Sequence, residues 1–286
     1  MKKLLYLLIV LLFIGYASQR FFGPSHSNTS MTKENVLFDT IPPVLHLNKE
    51  DFNVLLYSKA NAWVHTDAIK AAKAIFPQLA QKQRWKLTVS DSGSLFNPEQ
   101  LALFDVIVWS NVTGQTLTTA QRKSFQDYIE NGGGFVGIHG SGDSSQQWEW
   151  YQNELIRAQF SHHPMQPQFQ EGTLQKTCTP SFPACEALPE NWQWEDEWYV
   201  FYESPRKKGS TILYNLDETN LVMGTDQEGK NWGMGEDHPI VWYHDQEKGR
   251  VFYTAMGHKG DYYNDATYQN LLIQAVEWAG NKPLND

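Results

Sequence analysis

One segment limits what this chain can fold into: Gly132-Gly133-Gly134-Phe135-Val136-Gly137-Ile138-His139-Gly140-Ser141-Gly142-Asp143. The stretch before it, Thr118 to Asn131, starts on a hydroxyl and ends at three glycines, the end asymmetry of a capped helix. Phe135 to Ile138 is too short and too apolar for anything but a buried strand. Gly140 and Gly142 then allow a tight turn, so His139 projects from the strand's carboxyl end. In open α/β sheets that edge is where ligands bind.

The flanking sequence extends the pattern. Phe52 to Ser58 reads as a buried first strand and Asn61 to His65 as a loop. Ala68, Ile69, Ala72, Ile75, Phe76 and Leu79 then share one helical face. Pro77 inside that pattern predicts a kink or a restart. Trp85 to Ser90 and Phe104 to Trp109 are further strands, the latter ending at Asn111-Val112-Thr113-Gly114. Strands alternating with helices over Phe52 to His139 mean βαβ units: a doubly wound, mostly parallel α/β sheet with helices on both faces. Ser58, Lys59, Asn111 and His139 then converge on one rim. The second half adds β and loop insertions: a short helix from Trp148 to Ala158, a β-like region from Gln168 to Thr177, and a loop from Met223 to Asp237. Strands at Thr211–Asn215, His238–Tyr243 and Gly249–His258 precede a closing helix over Asp265 to Ala279.

A net charge of −9 gives no footprint for nucleic acid, and no basic amphipathic stretch suits an anionic membrane. Lys2 and Lys3 precede an apolar run, Leu4 to Tyr16, that is short for a spanning helix of about 20 residues. Its length suits a signal-peptide core, with Gly15-Tyr16-Ala17 offering small residues for cleavage. The competing reading extends the run to Phe22 as an uncleaved anchor. Either exports the rest, to the periplasm or to the membrane surface facing it. The organisation is therefore a leader or anchor over residues 1–22, a linker rich in Ser, Thr, Asn and Pro over 23–50, and one domain over 51–282. Cys178 and Cys185 flank Pro180 and Pro183; they are either a small disulfide ring or two free thiols, and export favours the ring.

Histidine placement carries the chemistry. His139, His163, His238 and His258 sit at strand ends or beside Pro or Gly turns, positions suited to proton transfer or metal ligation. His139 and His258 both end apolar strands and point to the same rim. His162 is the weaker of its pair, and His46, His65 and His244 read as surface or loop residues. Glu195-Asp196-Glu197 lies among tryptophans, as a solvated acidic loop or as groups that hold hydroxyls and orient a histidine. Most of the eleven tryptophans belong to a core, although such density also suits a carbohydrate site. Ser141 is not a nucleophile elbow, because His139 stands where G-x-S-x-G needs glycine. Gly132 to Gly134 precede a strand, so they do not form a phosphate-cradling loop.

Assembled in order, several of these pieces resemble the ThuA-like (trehalose-utilisation) family. They are Asn111 to Gly114, Gly132 to His139, Trp148-Glu149-Trp150-Tyr151, His163-Pro164, Asp196 to Tyr199, His238 to Trp242 and Gly249 to His258. The resemblance implies a flavodoxin-like sheet similar to class I glutamine amidotransferases. In those enzymes a cysteine occupies the elbow; His139 stands there in this chain, so thiolate hydrolysis of glutamine is not expected. The family's association with disaccharide and keto-sugar breakdown implies a small carbohydrate as partner, with the membrane involved only through the N-terminal segment. On that reading His139, His163, His258, Asp196 and Glu197 are catalytic, and His139, His163 and His258 are the ligands of any divalent metal. Asn111, Asp143, Trp148, Trp198, His238 and Trp242 contact substrate. The alternative is a non-catalytic carbohydrate-binding protein with an amidotransferase-like shell.

Overall fold

A computed structural model describes residues 38–178, 182 and 185–281. Its first half carries β1 (Asn53–Tyr57), β2 (Lys86–Ser90), β3 (Val106–Ser110) and β4 (Gly134–Ile138). Helix α1 (Thr66–Gln83) joins β1 to β2, α2 (Pro98–Leu101) leads into β3, and α3 (Thr119–Glu130) joins β3 to β4. An insertion follows: β5 (Phe160–His162), β6 (Gln170–Lys176), β7 (Asn191–Asp196), β8 (Val200–Phe201), β9 (Thr211–Asp217) and β10 (Pro239–Gln246). The chain then returns as β11 (Gly249–Thr254) and closes with α4 (Ala266–Ala279).

The main sheet has the order β2-β1-β3-β4-β11-β10-β9-β6-β7. From β2 to β11 neighbouring strands are parallel, and from β11 to β7 they are antiparallel. Taking β11 as a fifth strand, the parallel part keeps the 2-1-3-4-5 order of flavodoxin-like sheets. The mostly parallel α/β sheet and its second-half β insertions match the sequence expectation. Strands β1, β3 and β4 are buried along their whole length, because helices cover both faces. The edge strand β2 is largely accessible, which explains its alternating sequence.

Local signals act as their chemistry predicts. The Thr118 hydroxyl accepts from the Gln121 N–H, and Gln121 Oε1 accepts from the Thr118 N–H, a reciprocal cap that starts α3. Helix α1 does not restart at Pro77 but runs through it. The proline lies on the solvent side, where water can replace the forfeited bond, while Phe76 and Leu79 anchor the buried face. The short helix expected from Trp148 is a single wide turn, Tyr151–Leu155. Part of the expected linker is docked: Asp39 accepts from Lys59 Nζ (2.5 Å) and the Gly93 N–H (3.0 Å), and its carbonyl accepts from Gln121 Nε2 (2.7 Å). The run Leu4 to Tyr16 lies outside the described residues, among which no helix is long and apolar enough to cross a membrane. Cys178 and Cys185 form a disulfide with Cα atoms 6.1 Å apart.

Candidate functional site

The chain leaves β4 through His139, whose φ of 44° is uncommon for a side-chain-bearing residue. Neighbours hold it there. Tyr253 Oη donates to the His139 carbonyl (2.8 Å), and Asn111 Oδ1 accepts from the Gly140 N–H (3.2 Å). Ser141 Oγ donates to the Trp109 carbonyl and accepts from the Val112 N–H. Asn111 is thus occupied in shaping the turn and does not line the pocket described below, unlike its expected substrate contact. A Cβ on Gly140 would lie 2.8 Å from His65 Cε1, so glycine is what lets the His65 ring approach.

Strand β11 pairs with β4 with Thr254 opposite Ile138, which brings His258 to the rim beside His139. His139 Nδ1 lies 2.6 Å from the Ala255 carbonyl. A carbonyl only accepts, so Nδ1 carries the proton, and in the neutral ring Nε2 presents its lone pair. That Nε2 lies 3.0 Å from His258 Nδ1 and 3.4 Å from Glu197 Oε2. Glu197 Oε2 is 3.1 Å from His258 Nδ1, and its Oε1 accepts from Gln168 Nε2 (2.6 Å) and sits 3.3 Å from His163 Nδ1. Burial works to raise the Glu197 pKa, but the hydrogen bonds that His139 and His258 donate when their rings are protonated, and the charge of His139 and His163, hold it well below the carboxylate range. Burial likewise opposes charge on His139, yet Glu197 and Asp196 outweigh it and raise its pKa.

Adjacent Asp196 does different work. It is fully buried and accepts four hydrogen bonds: from Gly257 N–H (2.8 Å) and Trp194 Nε1 (3.0 Å) at one oxygen, and from Glu197 N–H (2.9 Å) and His258 N–H (3.3 Å) at the other. It fixes the turn that carries His258, where Gly257 has a φ of 112°. With both oxygens enclosed it is not among the residues that line the pocket described next, although the sequence reading grouped it with the catalytic residues.

A pocket of about 260 Å³ opens over this cluster, lined by Trp63, His65, Asp143, Phe160, His163, Met165, Gln168, Glu197 and Tyr199. Burial pushes the Asp143 carboxyl up to about 6 against hydrogen bonds from Ser145. Trp63 and Met165 are largely exposed at the mouth (68% and 66%). Of the expected site residues, Asp143 from the substrate contacts and His163 and Glu197 from the catalytic set line the pocket. The three tryptophans do not. Trp198 and Trp242 are fully buried, donating to the carbonyls of Gln170 and Ile156, and half-buried Trp148 packs on Tyr151 beneath Arg122. His238 is buried too, with Nδ1 2.7 Å from Glu218 Oε1 and Nε2 2.8 Å from the Tyr199 carbonyl, so it braces a pocket wall from behind.

Two of the histidines read as surface or loop residues are buried. His244 is buried against Ser210 Oγ, and His65 stands edge-on to both His139 and His258, with ring centres 5.0 and 4.7 Å away. Burial, then the charges of His139 and His258, push the His65 pKa down to about 2, so the ring is neutral. His65 and Trp63 both lie in the loop beyond β1. The strand-end argument that found His139 could have found them, had it been carried past Lys59. Among the described residues, the side chains that bring ligand-type atoms within 4.8 Å of one another are His65, His139, Glu197 and His258. His163, expected in such a set, faces the other Glu197 oxygen instead.

Comparison with known proteins agrees with this architecture. A ThuA-like protein of known structure from Bacteroides uniformis ATCC 8492 is 27% identical, with a TM-score of 0.69 over 85% of this chain and 96% of that one. Another, from Parabacteroides merdae ATCC 43184, is 18% identical with a TM-score of 0.63 over 82% and 92%, a likeness of fold. No curated protein matches the chain. The profile of the ThuA family, described as trehalose utilisation, matches residues 53–279, which is from the first residue of β1 to the last of α4. With sheet, elbow histidine and profile coinciding over that span, the chain belongs to the ThuA family.

Proposed function

We propose that this ThuA-family chain binds a disaccharide or its keto form in the pocket over His139 and transforms it by proton transfer beside a carbonyl. The observation that carries the reading is the lining of that pocket. Hydrogen-bonding side chains (Asp143, His163, Gln168, Glu197) stand against flat rings (Trp63, Phe160, Tyr199) at the carboxyl ends of the parallel strands. Sugars present both hydroxyls and an apolar ring face, so they use both kinds of wall. The volume is slightly below the roughly 300–1,000 Å³ of drug-sized sites and suits one sugar ring, the second extending past Trp63.

His163 is the base. Its Nδ1 faces the Pro164 carbonyl (3.0 Å) and Glu197 Oε1 (3.3 Å), both acceptors, so in the neutral ring Nδ1 carries the proton and Nε2 the lone pair. It takes the proton from the carbon next to the carbonyl, exchanges it with solvent, and returns a proton to the resulting enediolate, so no oxidant is needed. The disulfide and the run Leu4 to Tyr16 support export to an oxidising compartment.

The test is a thermal-shift screen of disaccharides and their keto forms, followed by NMR in D₂O for deuterium uptake beside the carbonyl. Expected are a raised Tm, exchange that His163→Ala abolishes, and binding about tenfold weaker in Trp63→Ala from loss of the ring face. Binding without exchange or product across the panel would favour the non-catalytic carbohydrate-binding protein. Absence of a shift with every sugar would overturn the proposal.

A further inference from the structure

We infer that the floor of this pocket is a divalent transition-metal centre with His139 Nε2, His258 Nδ1, Glu197 Oε2 and a nitrogen of His65 as ligands. The inference starts from distances. The first three atoms are separated by 3.0, 3.1 and 3.4 Å. Ligand atoms bonded to one ion at about 2.0–2.2 Å in tetrahedral geometry stand about 3.3–3.6 Å apart. The triangle is therefore close to that of a ligand shell, and His65 completes a set whose members all lie within 4.8 Å of one another.

Three further observations support a ligand shell over an ordinary hydrogen-bonded cluster. The Ala255 carbonyl binds His139 Nδ1–H and turns the Nε2 lone pair inward, the outer-shell arrangement that orients metal-bound histidines. Glu197 is held in the same way, with Gln168 and His163 on Oε1 while Oε2 faces the two rings. Finally, His65 is 5% exposed with Nδ1 buried and without a hydrogen-bond partner, and Gly140 is what makes room for it. A buried imidazole nitrogen without a partner, on a ring packed against two other imidazoles, calls for an explanation that a ligated ion supplies.

Three imidazoles and one carboxylate suit zinc or its first-row neighbours and not calcium or magnesium, which take oxygen shells. His65 and Glu197 also line the pocket, so the ion would face bound ligand. Its binding stands on the ligand geometry alone. Its service as a Lewis acid on the sugar carbonyl oxygen, which would enter as a fifth ligand and ease removal of the neighbouring proton, rests on the function proposed above.

The experiment uses the full chain stripped with chelator, dialysed, and titrated with Zn²⁺ by calorimetry and with Co²⁺ by visible absorption. One equivalent is expected to bind at micromolar or lower concentration, with cobalt bands of a low-symmetry nitrogen and oxygen shell and a raised Tm. His258→Ala and Glu197→Gln should each weaken binding at least 100-fold and His65→Ala at least tenfold, in protein whose far-UV circular dichroism is unchanged. His244→Gln, a buried histidine outside the cluster, should bind as the parent does. Absence of binding below millimolar Zn²⁺, or undiminished binding in His258→Ala, would overturn the inference. A parent that takes one cobalt whose bands no sugar perturbs would keep the metal centre and count against the sugar reading alone.

Discussion

Asp196→Asn separates the buried carboxylate that builds the site from the one beside it that faces ligand. Each Asp196 oxygen accepts two N–H groups, from Gly257 and Trp194 on one side and from Glu197 and His258 on the other. An amide keeps one oxygen and turns its NH₂ on two donors. A buried donor left without an acceptor costs about 1–3 kcal/mol, so two cost about 2–6 kcal/mol. The variant also no longer buries a charge, which recovers part of that cost. The net expectation is a loss of about 2–3 kcal/mol, or a Tm lower by about 4–12 °C for a domain of this size. Urea melts at pH 7 with calorimetry would measure it, and because His258 hangs from the same turn, metal or ligand affinity should fall as well. Burial raises the Asp196 pKa, so a neutral carboxyl is the rival state. An Asn variant within about 0.5 kcal/mol of the parent would mean that Asp196 is already protonated in the fold, and the four-donor account would be refuted.

Other expectations concern the rest of the molecule. His244 is pushed down to about 3 by burial and then by Arg157, so it stays neutral in the fold while the unfolded chain charges near 6.5. Its contribution is complete above that value and is lost as pH falls, by up to about 1.4 kcal/mol per unit down to its folded pKa. His244→Gln should flatten the acid limb of a stability profile, and an unchanged slope would show that the ring titrates in place. Lys59 and the Gly93 N–H hold the Asp39 carboxyl below its usual range although burial works the other way. Asp39→Asn should therefore cost about 0.5–1 kcal/mol at pH 7, with the difference closing as acid protonates the parent; a gap that persists in acid would refute this. Removing the Cys178–Cys185 bridge, whose residues are seven apart, should cost about 2 kcal/mol in denaturant melts, and a null effect would count against the loop-entropy account.

The parallel half of the fold was legible because β1, β3 and β4 are covered on both faces and so read as unbroken apolar runs. His139 and His258 were legible for the same reason, as the first polar side chains after such runs. Trp198 and Trp242 misled because a tryptophan in an aromatic-rich strand looks alike whether it stacks on a ligand or fills a core; here both indoles donate to backbone carbonyls within the protein. Asp196 and Glu197 could not be told apart, since neighbours at a strand end point in opposite directions. Which of them faced the histidines depended on the Gly257 turn, 61 residues beyond Asp196. His65 has only its place in the loop after β1 to mark it, and its importance comes from a gap that Gly140 leaves in the turn after β4.

The position of β11 bears on how the molecule comes into being. It is the last strand to leave the ribosome, yet it takes the fifth of nine places across the sheet. Until it arrives, β4 has an open edge, and the antiparallel ribbon from β10 to β7 has nothing to lean on. The two halves can each pair internally, but they can be joined only by a segment that closes a loop of more than a hundred residues, a slow event for a chain of this size. His139 and His258 meet at that same seam. Competence therefore arrives at once and late, and a chain interrupted before Gly249 would hold most of the strands and every residue of the cluster but His258, without the strand that brings them together.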